Sequence, residues 1–388
     1  MRTHLLLLAM GVVGLMAWTP GVQALSPALR MSEYGHTSWT QRDGFHLGAI
    51  FAMALTPDGY LWLGSEFGLF RFDGQHASRW QFPGDQALPA APYALLVTRD
   101  GSLWIGTFAG LASWNDGKLT QYPETHGLFV TSLLEDHEGT VWAGTLGGSA
   151  ESPTGQLCAV RTGKAQCYLN EGGFGSFVSA LAEDGFDTLW ADAESGLWQW
   201  KPGPPRRFAS PAKRIDDLSR DEGGRLLIAI RGAELEQVAP GKLETYPIHS
   251  LADPSKLLPD HEIDSNKLLR DRDGGLWIGS HDRGLIHVHN GKADVFTTAD
   301  GLSGEIICSL FEDHEGNVRV ATTRGLDRFL QLPVTALSVR PGLADTKSLI
   351  TSHDGSAWIA TYDGLMKWDE GRTRVFGKAD GLPDAVSL

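Results

Sequence analysis

The chain has 388 residues and carries 33 Lys and Arg against 47 Asp and Glu, a net charge of −14. Nucleic acid and anionic lipid both need a basic footprint, so this balance argues against either as a partner. Glycine is abundant, at 47 residues, which suits a turn-rich β protein.

In chain order, the first feature is Met1-Arg2-Thr3-His4, then an apolar run from Leu5 to Ala17, then Val22-Gln23-Ala24. A basic start, an apolar stretch and a small-residue site predict a secretory signal peptide over 1–24 and an exported mature chain. Its removal takes away Arg2 and leaves the charge near −15. The run is too short for a dedicated membrane-spanning helix, and no later segment could span.

From there the chain repeats one phrase eight times. The first copy is Asp58-Gly59-Tyr60-Leu61-Trp62-Leu63-Gly64, followed by Gly68-Leu69-Phe70-Arg71-Phe72-Asp73-Gly74. The Trp recurs at Trp104, Trp142, Trp190, Trp277 and Trp358, with Leu227 and Arg319 in the same slot of two weaker copies. A turn, a short apolar strand, a Gly turn and a second strand make a hairpin, and a period near 40 residues fits a four-stranded blade. The predicted fold is an all-β propeller, and each Trp is read as a core residue filling the gap between twisted sheets.

A Gly lies three residues before the Trp slot in seven copies, usually after Asp or Glu, as a tight turn requires. The fourth copy departs: Asp184-Gly185 stands five residues before Trp190, which predicts a longer turn. A further Gly follows the Trp by two residues at Gly64, Gly106, Gly144 and Gly279, the mark of a bulge or a close backbone approach.

Between the third and fourth copies, Cys158 and Cys167 flank Thr162-Gly163. If that pair is a two-residue turn, Arg161 faces Lys164 and Cys158 faces Cys167 across a non-hydrogen-bonded site, where Cα atoms lie ~4.5 Å apart. A disulfide is expected in an oxidising compartment, with two free thiols as the alternative. Cys308 reads as a buried small hydrophobe.

No residues assemble into a convincing catalytic, cofactor or metal motif. His137 and His314 sit in matched Glu-Asp-His-Glu-Gly turns, and a repeated position argues for a turn rather than for catalysis. His281, His287 and His289 cluster around one hairpin near Asp282, and a weak metal site there is the minority reading. Asp271-Arg272-Asp273-Gly274 has the start of a calcium loop but lacks its remaining ligands.

The repeated runs, such as Asp100-Gly101-Ser102-Leu103-Trp104-Ile105-Gly106-Thr107 and Gly325-Leu326-Asp327-Arg328-Phe329, resemble the two-component regulator propeller repeat. So does the opening segment from Tyr34 to Gly44. The resemblance covers essentially everything after residue 24. It implies the periplasmic sensor region of a signalling receptor, which in that family continues through further propeller blades and a transmembrane helix to a histidine kinase or diguanylate cyclase. On this view residues 25–332 form a seven-bladed sensor propeller, and 333–388 begin a second that is incomplete. One eight-bladed ring is the alternative.

The expected function is non-enzymatic ligand sensing, with a small molecule such as an oligosaccharide as partner and a homodimer in the full receptor. Trp39, Trp80 and Trp114 are candidate sugar platforms. The competing readings are an exported glycan hydrolase or lyase and a protein-interaction scaffold. Sialidase repeats separate Asp and Gly by one residue, whereas here Asp58 and Gly59 are adjacent, which counts against that enzyme class.

Overall fold

The computed structural model describes residue 25 and residues 31–147, 154–161, 163–168, 173–209, 214–233, 235–248, 265–289, 292–331, 346–352, 356–361, 364–369, 372–377 and 380–382. Residues 1–24, the expected signal peptide, lie outside the described residues. Strands are arranged in eight four-stranded antiparallel sheets. The chain divides into two compact units, Met1–Gln331 and Leu332–Leu388.

The first unit is a ring of seven sheets. Their innermost strands are Ile50–Leu55, Pro92–Val97, Phe129–Glu135, Val178–Glu183, Ile215–Arg220, Ser265–Arg270 and Ile307–Glu312. Each of these touches the next around the axis, and the seventh touches the first. Six blades run outward in sequence order. The seventh is finished by the N-terminus: Gly35–Thr40 pairs antiparallel with Gly325–Leu330 as its outermost strand. His36 Nε2 meets Asp327 Oδ1 at 2.9 Å across this seam. The ring therefore closes at seven blades. The eighth sheet, Thr346–Thr351 with Ala357–Thr361, Gly364–Asp369 and Arg372–Phe376, belongs to the second unit.

The blades are stapled from within. Trp62, Trp104, Trp142, Trp190 and Trp277 are buried between sheets, and Trp358 is half-buried in the second unit. A buried indole N–H needs an acceptor. Trp142, Trp190 and Trp277 donate to Asp136, Asp184 and Asp271, each at 2.8 Å, while Trp62 and Trp104 donate to Thr56 and Thr98. The same carboxylates cap the hairpin turn, as where Asp184 Oδ1 accepts from the amides of Phe186 and Thr188.

This geometry corrects the reading of the fourth turn. Asp184 occupies the place of Asp136 and Asp271, six residues before the Trp, so the turn is no longer than its neighbours. Asp187 takes the left-handed position at φ 59° that Gly139 and Gly274 take elsewhere. Asp is among the few residues that tolerate this conformation.

Cys158 and Cys167 face each other in register, with Arg161 opposite Lys164. Their sulfurs are bonded, with Cα atoms 3.9 Å apart.

Candidate functional site

Every innermost strand of the ring carries a β-bulge near its start, on the same end of the axis. The register shifts at Phe51, Tyr93, Thr131, Ser179, Asp216, Asn266 and Cys308. A bulge re-aims the side chain of the extra residue. Here all seven line a single axial funnel of about 490 Å³, a volume within the usual range for small-molecule sites. The turns between second and third strands add Arg231 and His281 to the lining, and the residues just before two innermost strands add Arg214 and Ile306; Phe108 and Phe129 pack against Tyr93, and Phe177 against Arg214.

Two arcs of different chemistry face each other around this mouth. Blades one to three supply an aromatic cluster. Phe51 stacks on Tyr93 at 5.1 Å, Phe108 stacks on Phe129 at 4.3 Å, and Tyr93 meets Phe129 edge-on at 4.8 Å. Phe108 remains 44% exposed.

Blade five supplies charge. The Asp216 carboxylate accepts a two-pronged bond from Arg231, Nε to Oδ2 at 2.8 Å and Nη2 to Oδ1 at 2.7 Å. Arg214 Nε lies 3.7 Å from the same carboxylate and its guanidinium sits 5.4 Å from the centre of the Phe177 ring. Lys267 and His281 of blade six complete the arc, with His281 Nε2 3.9 Å from Asp216. Behind it, Ser179 donates to Asp192 at 2.5 Å. Burial pushes the Asp192 carboxyl up to about 7, against that hydrogen bond and the nearby Arg214 charge. The thiol of Cys308 is pushed up to about 11 by burial, the opposite direction from an activated nucleophile.

The far end of the axis holds a second depression of about 480 Å³ around Met53, Leu55, Leu95, Val97 and Phe311. Its polar rim is already engaged in holding blades together. Arg99 reaches from blade two to the carbonyls of Asp136 and His137 in blade three. Arg272 repeats this from blade six to the carbonyls of Asp313 and His314 in blade seven. The matched Glu-Asp-His-Glu-Gly turns are thus the receiving halves of an inter-blade clamp.

The structure separates the remaining sequence candidates. His281 lies in the funnel, whereas His287 and His289 are buried in blade six, stacked face to face at 5.0 Å, with His287 also stacked on Trp277 at 4.2 Å. Stacked rings do not converge on an ion. Burial, and then the neighbouring His289, holds His287 down at about 3. His137, Glu183 and Asp187 bring possible ligand atoms within 4.8 Å of one another. His137 Nδ1 is bonded to Glu183 at 2.6 Å, an ion pair that raises the pKa of the imidazole.

Trp39, Trp80 and Trp114 are packed rather than presented as platforms: Trp80 lies against Trp62 and Trp114, and Trp39 against Phe72. The funnel ring itself was missed in the sequence. Its signal is nevertheless there, because the bulge residue stands eleven positions before the Trp slot in every blade, from Phe51 and Trp62 to Cys308 and Arg319.

Comparison with known proteins agrees with this geometry. Residues 126–147, which cover the third blade's innermost strand and Trp142, match the family model for the two component regulator propeller. No curated protein matches the chain significantly. Among solved structures, the extracellular domain of the hybrid two component system BT3049 from B. thetaiotaomicron superposes with a TM-score of 0.65 at 16% identity. That match covers 89% of this chain and 49% of the other. The corresponding domain of BT4673 from the same organism gives 0.59 at 18%, covering 89% and 47%. Virginiamycin B lyase from Staphylococcus aureus gives 0.59 at 11%, covering 77% and 100%. The chain spans about half the length of the two extracellular domains. At these identities the likeness is one of fold. The chain is a β-propeller with one stretch, residues 126–147, that matches the two component regulator propeller.

Proposed function

We propose that the propeller is the extracytoplasmic ligand-sensing part of a two-component type receptor, and that it takes a small molecule, with oligosaccharides the leading class, in the axial funnel. One observation carries this reading. A scaffold repeated blade by blade places its one variable, re-aimed side chain per blade around a single cavity. Ligand sites are concave, largely preformed and set with a few convergent polar groups, as here.

The oxidised Cys158–Cys167 pair fits a location outside the cytoplasm. Binding rather than turnover is favoured by the Cys308 thiol, which burial keeps protonated. Signal output would lie on a further part of the receptor beyond a membrane helix, and a ligand would act by favouring one packing of a homodimer over another.

The test is thermal unfolding of the purified chain with a panel of neutral and acidic oligosaccharides. A ligand that binds only the native state raises Tm, and the stabilisation grows with the logarithm of its concentration once that exceeds Kd. Ile306, exposed at the funnel rim, is replaced by Trp to plug the mouth. Phe186, exposed on an opposite-face turn, is replaced by Ala as the control. The shift is expected to vanish in Ile306→Trp and persist in Phe186→Ala. A panel that shifts nothing, or a shift that survives the plug, removes the funnel as the sensing site.

A further inference from the structure

The charge in the funnel runs against the charge of the chain. Among the described residues lining it, Arg214, Arg231 and Lys267 stand against the single carboxylate of Asp216, in a protein whose net charge is −14. The layering sharpens this contrast. The Asp216 side chain is only 5% exposed, while Arg214 and Arg231 above it are 54% and 47% exposed. The carboxylate is therefore a buried brace. It fixes the Arg231 guanidinium by bonds of 2.7 and 2.8 Å and Arg214 by a 3.7 Å ion pair, and leaves Arg214 partly exposed in the cavity lining. The fork of Arg231 is engaged by that carboxylate, whereas Arg214 is held only by the longer ion pair, and a guanidinium matches a carboxylate through its planar fork of donors.

The arrangement opposite is aromatic. Phe51, Tyr93, Phe108 and Phe129 form one contiguous ring cluster, and Arg214 lies over a further ring, Phe177. A ligand satisfying both arcs needs an anionic group at one end and a ring face at the other.

We infer that the funnel selects a ring-bearing organic carboxylate, its anionic end on Arg214 and its ring against the Phe51–Tyr93 pair, with Phe108 and Phe129 packed beside it. This rests on the funnel being the binding site and adds the charge and shape of what enters it. Two sources share the chemistry, a sugar acid and an aromatic acid, and the experiment separates them.

Calorimetric titration of the purified chain uses digalacturonate and 4-hydroxyphenylacetate, each beside its uncharged methyl ester, with cellobiose as a neutral disaccharide. At least one acid binds, its ester binds about tenfold or more weakly, and added salt weakens only the acid. Arg214→Gln, a half-exposed position, lowers the affinity for the acid about tenfold and leaves the ester unchanged, and Arg214→Lys recovers part of the loss. Phe108→Ala weakens acid and ester together. Which acid binds identifies the source.

Equal binding of acid and ester, or no effect of Arg214→Gln, overturns the inference. If cellobiose alone binds and Ile306→Trp abolishes it, the anion assignment falls and the funnel stands. If an acid binds unchanged in Ile306→Trp, or if none of these probes binds, both readings fall.

Discussion

Asp192 holds its proton more tightly in the folded chain than in the unfolded one, with a carboxyl pushed from 3.8 up to about 7 by burial behind Ser179. Between those values the native state binds more protons than the unfolded state, so stability falls as pH rises through the window and stays low above about 7. Asp192→Asn keeps the shape and an acceptor for Ser179 but removes the titration. Its unfolding midpoint is therefore expected to exceed that of the parent at about pH 8 and to approach it near pH 4, a convergence that thermal melts across the range would check. A constant difference at every pH would mean that the side chain's shape, not its charge, matters. At this scale the sequence was legible where a residue repeats. The Trp residues announce themselves as core by recurrence. Their acceptors Asp136, Asp184 and Asp271 are less legible, because a carboxylate six residues before the indole looks like an ordinary turn residue until the fold shows that it both caps the turn and receives the indole N–H.

Blade contacts explain why small residues recur after the Trp. At Gly144 a Cβ would come within 2.7 Å of the Val178 carbonyl oxygen and 2.5 Å of Ser132 Oγ, and backbone cannot give way as a flexible side chain can. Gly279 and Gly106 stand likewise against Ile307 and Val130 of the following blades. Gly144→Ala is therefore expected to destabilise by about 1–3 kcal/mol through overpacking, despite the higher strand propensity of Ala, with denaturant titration as the readout. A neutral or stabilising result would mean that the two blades can part without cost. The hairpin register around Cys158 and Cys167 could be counted from one turn, since pairing outward from Thr162-Gly163 is arithmetic on a period of two. The funnel could not be read the same way. A search for repeats weights positions that stay constant, and the bulge residues Phe51, Tyr93, Thr131, Ser179, Asp216, Asn266 and Cys308 are those that differ from blade to blade.

Closure is decided by the whole molecule, because it pairs residues nearly 300 positions apart. Gly35–Thr40 completes the seventh blade on Gly325–Leu330, and Leu25, Met31 and Tyr34 enter the same core as Trp277, Phe296 and Phe329. A strand from one chain end serving a blade at the other leaves no mark in the local repeat, which is why eight copies of the phrase left seven and eight blades both open. The seam makes the ring complete in pairing without the second unit. A chain ending at Gln331 is accordingly expected to melt in one cooperative transition with the parent's β signal. A chain starting after Thr40 should lose that transition, because it uncovers the edge of Gly325–Leu330 and part of the apolar core, and an exposed edge strand invites association. Circular dichroism melts with light scattering would distinguish them. If the chain ending at Gln331 were the one to collapse, the eighth sheet would be an integral blade, and the seam at Gly35–Thr40 would not be what holds the ring shut.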